Sequence, residues 1–507
     1  MGTTIVAGDA RLEEPTLSER VARVAGGLAA LGIGEGDSVA LMLRNDFAFF
    51  EISLAAGVLG AYPVPVNWHF HGDEAGYIVT DSGAKAVFVH SDLRPRLAGE
   101  IPAGVPEIVV ETPADVAAAY GISTEDARVP TGAIDYARWR DGQTPWTEKP
   151  RSAPASMIYT SGTTGRPKGV RRQPPTPSQV EETWVSRKHV FGFSPDMRAI
   201  MTGPLYHSAP NLYGMFTVRI GGTLHLQPRF DAEDLLRRIE RDRLTHMHLV
   251  PTMFVRLLKL PEAVKRRYDL SSLRWVVHGA APCPPDVKRA MIDWWGPVIH
   301  EYYGGTESGA LVHCTSEEWL AHPGTVGRPI PGARVRALDE ARQPCPVGVP
   351  GELFMRLGSV PDFTYHGQDA RRAEIDAGDG LISLGDVGYF DTDGFLHLCD
   401  RKRDMVISGG VNIYPAEIEA VLHNLPGVRD CAVFGIPDEE FGEALAAAIE
   451  AEPGAALDAD SVRAHVARHL ARYKVPRVVT FETSLPREDT GKIFKRKLRA
   501  PYWEKAG

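Results

Sequence analysis

Cysteine is scarce. The chain has five in 507 residues, Cys283, Cys314, Cys345, Cys399 and Cys431, an odd and scattered set with no pair at the spacing of a zinc site or a redox motif. That excludes a disulfide-stapled scaffold and fits reduced thiols in a cytoplasmic protein. Long apolar runs are lacking too. The best candidate, 52–61, is bounded by Glu51 and interrupted by Ser53, well short of the roughly 20 apolar residues that cross a bilayer. No basic stretch followed by an apolar core opens the sequence, so no secretory signal is expected. Nor is positive charge in excess. With 56 Lys and Arg against 65 Asp and Glu the net charge is −9, which argues against a nucleic-acid binder that neutralises phosphates over a broad surface. A phosphate ligand would have to be met by local cations.

What is present is ordinary for a globular protein: 43% hydrophobic residues and 24% charged. The length calls for two or more domains. Apolar residues recur at helical spacing over 17–31, then short strand-like and helical stretches alternate from 39 to 110 and again from 199 to 278, the pattern of sheets covered by helices. The stretch 112–154, rich in Pro, Gly, Asp and Thr, reads as a connecting excursion. Beyond 325, short β-like runs at 335–338, 352–356 and 395–398 suggest a small β subdomain. Alternation returns from about 403, over a length that suits a compact domain of its own.

The most informative stretch is 157–170, Met-Ile-Tyr-Thr-Ser-Gly-Thr-Thr-Gly-Arg-Pro-Lys-Gly-Val. A strand end is followed by Thr160, Ser161, Gly162, Thr163, Thr164 and Gly165, then Lys168. Glycines let successive amides converge on an anion, and hydroxyls and a lysine add donors. It is not a Walker loop, because Pro167 precedes Lys168 and Gly169 follows it. Pro174, Pro175 and Pro177 exclude a long helix immediately after it. Alone, the stretch reads equally well as a polyphosphate cradle or a polar surface turn.

Further motifs follow in order. His207 stands in Pro-Leu-Tyr-His-Ser-Ala-Pro, between a strand and an apolar helix, where α/β proteins place ligand contacts, though a lone histidine there is more often structural. Gly279-Ala280-Ala281-Pro282 follows a strand. Glu301-Tyr302-Tyr303-Gly304-Gly305-Thr306-Glu307 combines an aromatic plane, a hydroxyl and a carboxylate suited to Mg²⁺. Then come Gly385-Asp386-Val387-Gly388-Tyr389, the run 400–419 beginning Asp-Arg-Lys-Arg-Asp, and Leu485-Pro486-Arg487-Glu488-Asp489-Thr490-Gly491-Lys492-Ile493.

Taken together, this ordered set resembles the adenylate-forming superfamily of acyl- and aryl-CoA synthetases, peptide-synthetase adenylation domains and luciferases, and is most like an acyl-CoA synthetase. The resemblance implies an α/β fold: a large N-terminal body of sheets covered by helices plus a small β subdomain (1–402), and a smaller, mobile α+β C-terminal lid (403–507). It implies ATP, Mg²⁺ and coenzyme A acting on a small carboxylic acid, with transfer to a carrier protein as the alternative. In that family pattern Thr160–Gly165 and Lys168 hold phosphates; Gly279, Ala280, Ala281 and Tyr303 meet the adenine; Asp386 and Arg401 take the ribose. Thr306, Glu307 and Lys492 carry the catalysis, Glu307 as metal ligand, while Gly409 and Gly410 face coenzyme A. Arg403 is the hinge, where Asp or Lys is the commoner occupant. Trp184, His207, Ala209, Gly279, Gly305 and Ala310 fall at acid-pocket positions. None of these is a cation, which disfavours dicarboxylic acids and suits fatty or aryl ones.

Overall fold

Short β-branched runs separated by amphipathic helices build two main sheets in the first four-fifths of the chain. The computed structural model describes residues 2–160, 166–402, 404–408, 411–438, 441–487 and 493–504. One sheet has five parallel strands in the order Tyr62–Pro65, Ser38–Met42, Ala84–His90, Glu107–Val110 and Ile134–Asp135. Every residue of Ser38–Met42 is buried, as expected of a parallel strand covered on both faces.

The second sheet has 13 strands. Thr223–Leu226, Arg198–Met201, His246–Leu249, Trp275–His278 and Ile299–Gly305 run parallel. Their carboxyl ends lead into the stretches carrying His207, Gly279 and Thr306, the side on which open α/β sheets bind ligands. The helix Phe47–Val58 is apolar almost all round. Its Phe49 and Phe50 share one core with Val39 and Leu41 of the first sheet and Met201 and Leu224 of the second, so this helix has no polar face to turn outward.

The β-rich region expected beyond 325 is there, joined to the large sheet by strand pairing. Thr325–Pro329 pairs on one side with Gly309–Cys314 and on the other with Leu396–Arg401, and through that strand with Ile382–Phe390, Gly351–Leu357 and Ala333–Leu338, all antiparallel. A third, three-stranded sheet consists of the hairpin Ile158–Thr160 and Lys168–Arg172 with Phe363–Tyr365 added to its second strand. A strand therefore occupies the position where prolines exclude a helix, and the helix Pro177–Phe191 starts at the last of them. Proline at the first helical position is compatible with the helix, and Thr176 and Gln179 close a reciprocal capping box.

From Val406 a five-stranded sheet forms from Val406–Ser408, Val411–Ile413, Val428–Asp438, Gly442–Ala451 and Val478–Glu482. With the helices Pro415–Leu422 and Ala459–His469 it encloses its own core, including Val406, Ile418, Leu422, Val433, Ile449 and Val462. Among the described residues no helix is long and apolar enough to cross a membrane.

Candidate active site

Ile299–Gly305 ends in two glycines that close packing demands. A Cβ on Gly304 would fall 1.9 Å from the Gly309 carbonyl oxygen, and one on Gly305 would fall 2.5 Å from Leu384 Cδ1. The chain then turns through Thr306, Glu307 and Ser308 into Gly309–Cys314. The Thr306 hydroxyl donates to Ser208 Oγ at 3.0 Å, at the first turn of the helix Ser208–Arg219. Arg172, at the end of the hairpin strand, donates to the Thr306 carbonyl at 2.5 Å and to the Pro361 carbonyl at 2.8 Å. Burial pushes that guanidinium down to about 10, with Glu307 opposing the shift.

Glu307 Oε1 accepts a hydrogen bond from Tyr365 Oη at 3.1 Å. Burial raises the Tyr365 hydroxyl above the ordinary phenol range, and the adjoining Glu307 carboxylate adds to the effect. Lys168 lies against the same ring, its Nζ 5.3 Å from the centroid. Its ammonium is lowered by burial and by Arg371, while Glu307 and Glu374 pull the other way. Glu307 Oε2 takes no hydrogen bond from any described residue. A hard carboxylate oxygen beside a threonine hydroxyl and a lysine fits Mg²⁺ carried by a polyphosphate, a setting in which that ion keeps one or two protein carboxylates.

Opposite, Asp386 accepts from Tyr303 Oη at 2.7 Å, and its strand places it in register with Arg401. Glu352 accepts from Ser383 at 2.5 Å and from Lys402 at 2.9 Å. Gly279 packs against Tyr302, whose ring carbon would lie 2.6 Å from any added Cβ. Ala280 follows with φ 69°, a left-handed conformation that costs an L-residue roughly 1–2 kcal/mol. The backbone turns sharply there and leaves Ala280 on the surface of the site.

These groups surround one continuous cavity of 1110 Å³. Thr160, Lys168, Ala280, Thr306, Glu307 and Asp386 line one part of it. The helices Pro177–Phe191 and Ser208–Arg219 line the other, where the rings of Trp184 and Phe216 lie 5.7 Å apart between centroids; Ala209, Gly305 and Ala310 also line the cavity. Gly279, Ala281, Tyr303 and His207 are not among the lining residues. His207 immediately precedes the helix Ser208–Arg219, its ring centroid 4.3 Å from that of Tyr206. Ser161, Gly162, Thr163, Thr164, Gly165, Arg403, Gly409, Gly410 and Lys492 lie outside the described residues.

Four contributors escape the sequence reading. Ser208 and Arg172 reach the Thr306 turn from 98 and 134 residues away, and Tyr365 reaches Glu307 across 58, separations at which no motif is visible. The fourth, Arg187, corrects the expectation of a cation-free acid pocket. Its guanidinium lies over the Phe216 ring, 4.5 Å from the centroid, in the helix-lined part of the cavity. Helical spacing held the signal: 180, 183, 184, 187 and 191 fall on one face, and Trp184 was already assigned to the pocket.

Residues 5–360 match the family model for the AMP-binding enzyme, and residues 417–492 match that for the AMP-binding enzyme C-terminal domain. The chain belongs to the AMP-binding enzyme family. Among curated members, it is 35% identical over 502 residues to a feruloyl-CoA synthase of an Amycolatopsis species, covering 99% of this chain and 96% of that one. It is 30% identical over 494 residues to the long-chain-fatty-acid–CoA ligase FadD13 of Mycobacterium tuberculosis, covering 97% and 94%. Among solved members, ATP-bound MatB from Rhodopseudomonas palustris superposes with a TM-score of 0.81 at 26% identity, covering 100% of this chain and 97% of that one. The adenylate-forming resemblance and the α/β architecture read from the sequence are therefore borne out for this chain.

Proposed function

We propose that this AMP-binding enzyme is a cytoplasmic, ATP-dependent acid–CoA ligase that activates a fatty or aryl acid as acyl-AMP and transfers the acyl group to coenzyme A. The observation that carries the reading is the single cavity. Phosphate-directed groups, Lys168, Thr306 and Glu307, sit in one part, and an aromatic, helix-lined chamber adjoins them. That is the juxtaposition needed to bring a carboxylate to a nucleotide's α-phosphate. In the first half-reaction an acid oxygen forms the new bond to phosphorus and the bond to pyrophosphate breaks. Lys168, Thr306 and the 160–165 stretch bind phosphate oxygens, and Lys492 meets the charge that develops at the α-phosphate. Glu307 is the residue that would hold Mg²⁺, which neutralises phosphate charge. Asp386 and Arg401 take the ribose, and Gly279, Ala280, Ala281 and Tyr303 the adenine side. In the second half-reaction the thiolate of coenzyme A attacks the acyl carbon and AMP leaves.

We assign 1–402 to a body that binds ATP and acid and 403–507 to a lid turning about Arg403. The lid brings Lys492 to the site for the first step, and Gly409 and Gly410 for the second. Its separate sheet and core support that division. The reading is tested by acid-dependent AMP formation with ATP and free coenzyme A. Turnover with an acyl carrier protein but none with coenzyme A would favour the carrier-loading alternative.

Two substitutions probe the assignment. Asp386→Ala removes a charged acceptor for ribose hydroxyls, so the KM for ATP should rise about 10–100-fold; an unchanged KM would remove Asp386 from the nucleotide site. Tyr365→Phe keeps the ring under Lys168 and deletes only the hydroxyl on Glu307. Pyrophosphate release should slow about 3–10-fold with folding intact, and the Mg²⁺ concentration needed for half-maximal rate should rise. A variant indistinguishable from the parent would show that Tyr365 only packs.

A further inference from the structure

The helix-lined part of the cavity contains a cation that the chemistry above does not use. On Pro177–Phe191, the positions Val180, Thr183, Trp184, Arg187 and Phe191 form one stripe facing the cavity, the spacing that puts side chains on a single helical face. Arg187 is half-buried in that stripe and stacks on Phe216. It makes no hydrogen bond or ion pair with any described residue. Burial pushes its guanidinium down to about 9, and Arg219 and Arg172 add repulsion, with no carboxylate opposing them.

None of the acidic residues that line the same cavity pairs with Arg187 among the described residues. Glu307 holds Tyr365, Glu352 holds Ser383 and Lys402, Asp386 holds Tyr303, and Glu374 acts on Lys168. Arg219 lies at the last turn of its helix, where a cation is favoured by the helix dipole. Arg187 has no such local reason beyond the Phe216 ring. A half-buried cation without an anionic partner gains by acquiring one, and a guanidinium fork matches a carboxylate with two parallel hydrogen bonds.

Its position along the cavity sets a length. Ser208, bonded to Thr306, marks the reacting end, and Phe216 stands eight residues up the same helix, about 12 Å along its axis. Resting on the acid–CoA ligase reading, we infer that the acid substrate carries a second carboxylate at its far end, roughly that distance from the reacting one, and that Arg187 is the residue that selects it. The substrate class is thus narrowed to a fatty or aryl acid that bears a second carboxylate, aliphatic or built around a ring.

The test compares α,ω-dicarboxylic acids of increasing length with their ω-methyl half-esters, in the parent enzyme and in Arg187→Leu and Arg187→Lys. Pyrophosphate release without coenzyme A, AMP release with it, and calorimetric binding of each acid to the ATP-free protein are followed. For the diacid of matching length, kcat/KM should exceed that of its half-ester about 10–100-fold. Arg187→Leu should abolish the preference, in turnover and in binding, and leave the KM for ATP unchanged; Arg187→Lys should retain part of it. Equal use of diacid and half-ester by the parent, or a preference that survives Arg187→Leu, overturns the inference. So does a rise in the KM for coenzyme A alone, which would assign Arg187 to the phosphates of that co-substrate. Should no acid be turned over while the diacid still binds in an Arg187-dependent way, the ligase reading falls and the second-carboxylate site stands.

Discussion

Glu307→Ala is expected to lower the rate of acyl-AMP formation roughly 10²–10³-fold, the usual effect of deleting one preorganised group that stabilises transition-state charge. The reasoning is geometric. One oxygen of Glu307 is fixed by Tyr365 at 3.1 Å, while Arg172 fixes the adjoining Thr306 carbonyl at 2.5 Å. The second oxygen is therefore presented in a set direction, next to Lys168. Glu307→Gln separates charge from position: glutamine still accepts from Tyr365 but is a poor ligand for a hard cation. If the role is metal binding, the glutamine variant should be as slow as the alanine one and demand more Mg²⁺. Normal pyrophosphate release by Glu307→Ala at limiting Mg²⁺ would dismiss the role.

The second large effect belongs to Lys492, which the lid hypothesis places at the site in only one of two arrangements. Lys492→Ala removes a cation needed while charge builds at the α-phosphate, so adenylation should again drop about 10²–10³-fold. Conversion of supplied acyl-AMP and coenzyme A to thioester should continue near the parent rate. Gly409→Leu should show the opposite split, because a branched side chain would obstruct the approach of pantetheine to the backbone. Stopped-flow measurement of each half-reaction distinguishes the two. Equal loss of both half-reactions in both variants, with folding intact, would refute an alternating lid.

Much of the fold was legible because its signals are local. A run such as Ser38–Met42 declares a buried strand by its composition, and the helix Thr16–Ala30 by its spacing. That the β-rich region joins the body by strand pairing through Thr325–Pro329 was not legible, since such pairing leaves no trace in periodicity. The site divides in the same way. Thr306, Glu307 and Asp386 sit in strings whose order identifies them, and all three line the cavity. Tyr303 is in such a string as well, yet it is not among the lining residues and places its hydroxyl on Asp386. Arg172, Tyr365 and Ser208 act through contacts made only once distant segments fold together. Arg187 was hidden differently, as the lone arginine of a helix that mixes charged and apolar residues, where its spacing from Trp184 was the one sign of which side is inside.

The two walls of the cavity come from separable stretches of chain. The residues assigned to phosphate and ribose are spread from Thr160 to Arg401, whereas the chamber assigned to the far end of the acid is lined largely by two helices between Pro177 and Arg219. Substitutions at sites well apart combine nearly independently. On that assignment, changes at Val180, Thr183, Trp184, Arg187 or Phe216 would exchange one acid for another with little effect on the nucleotide site. For a lineage, this makes the substrate range evolvable in small steps, each viable, with the costly chemistry inherited whole.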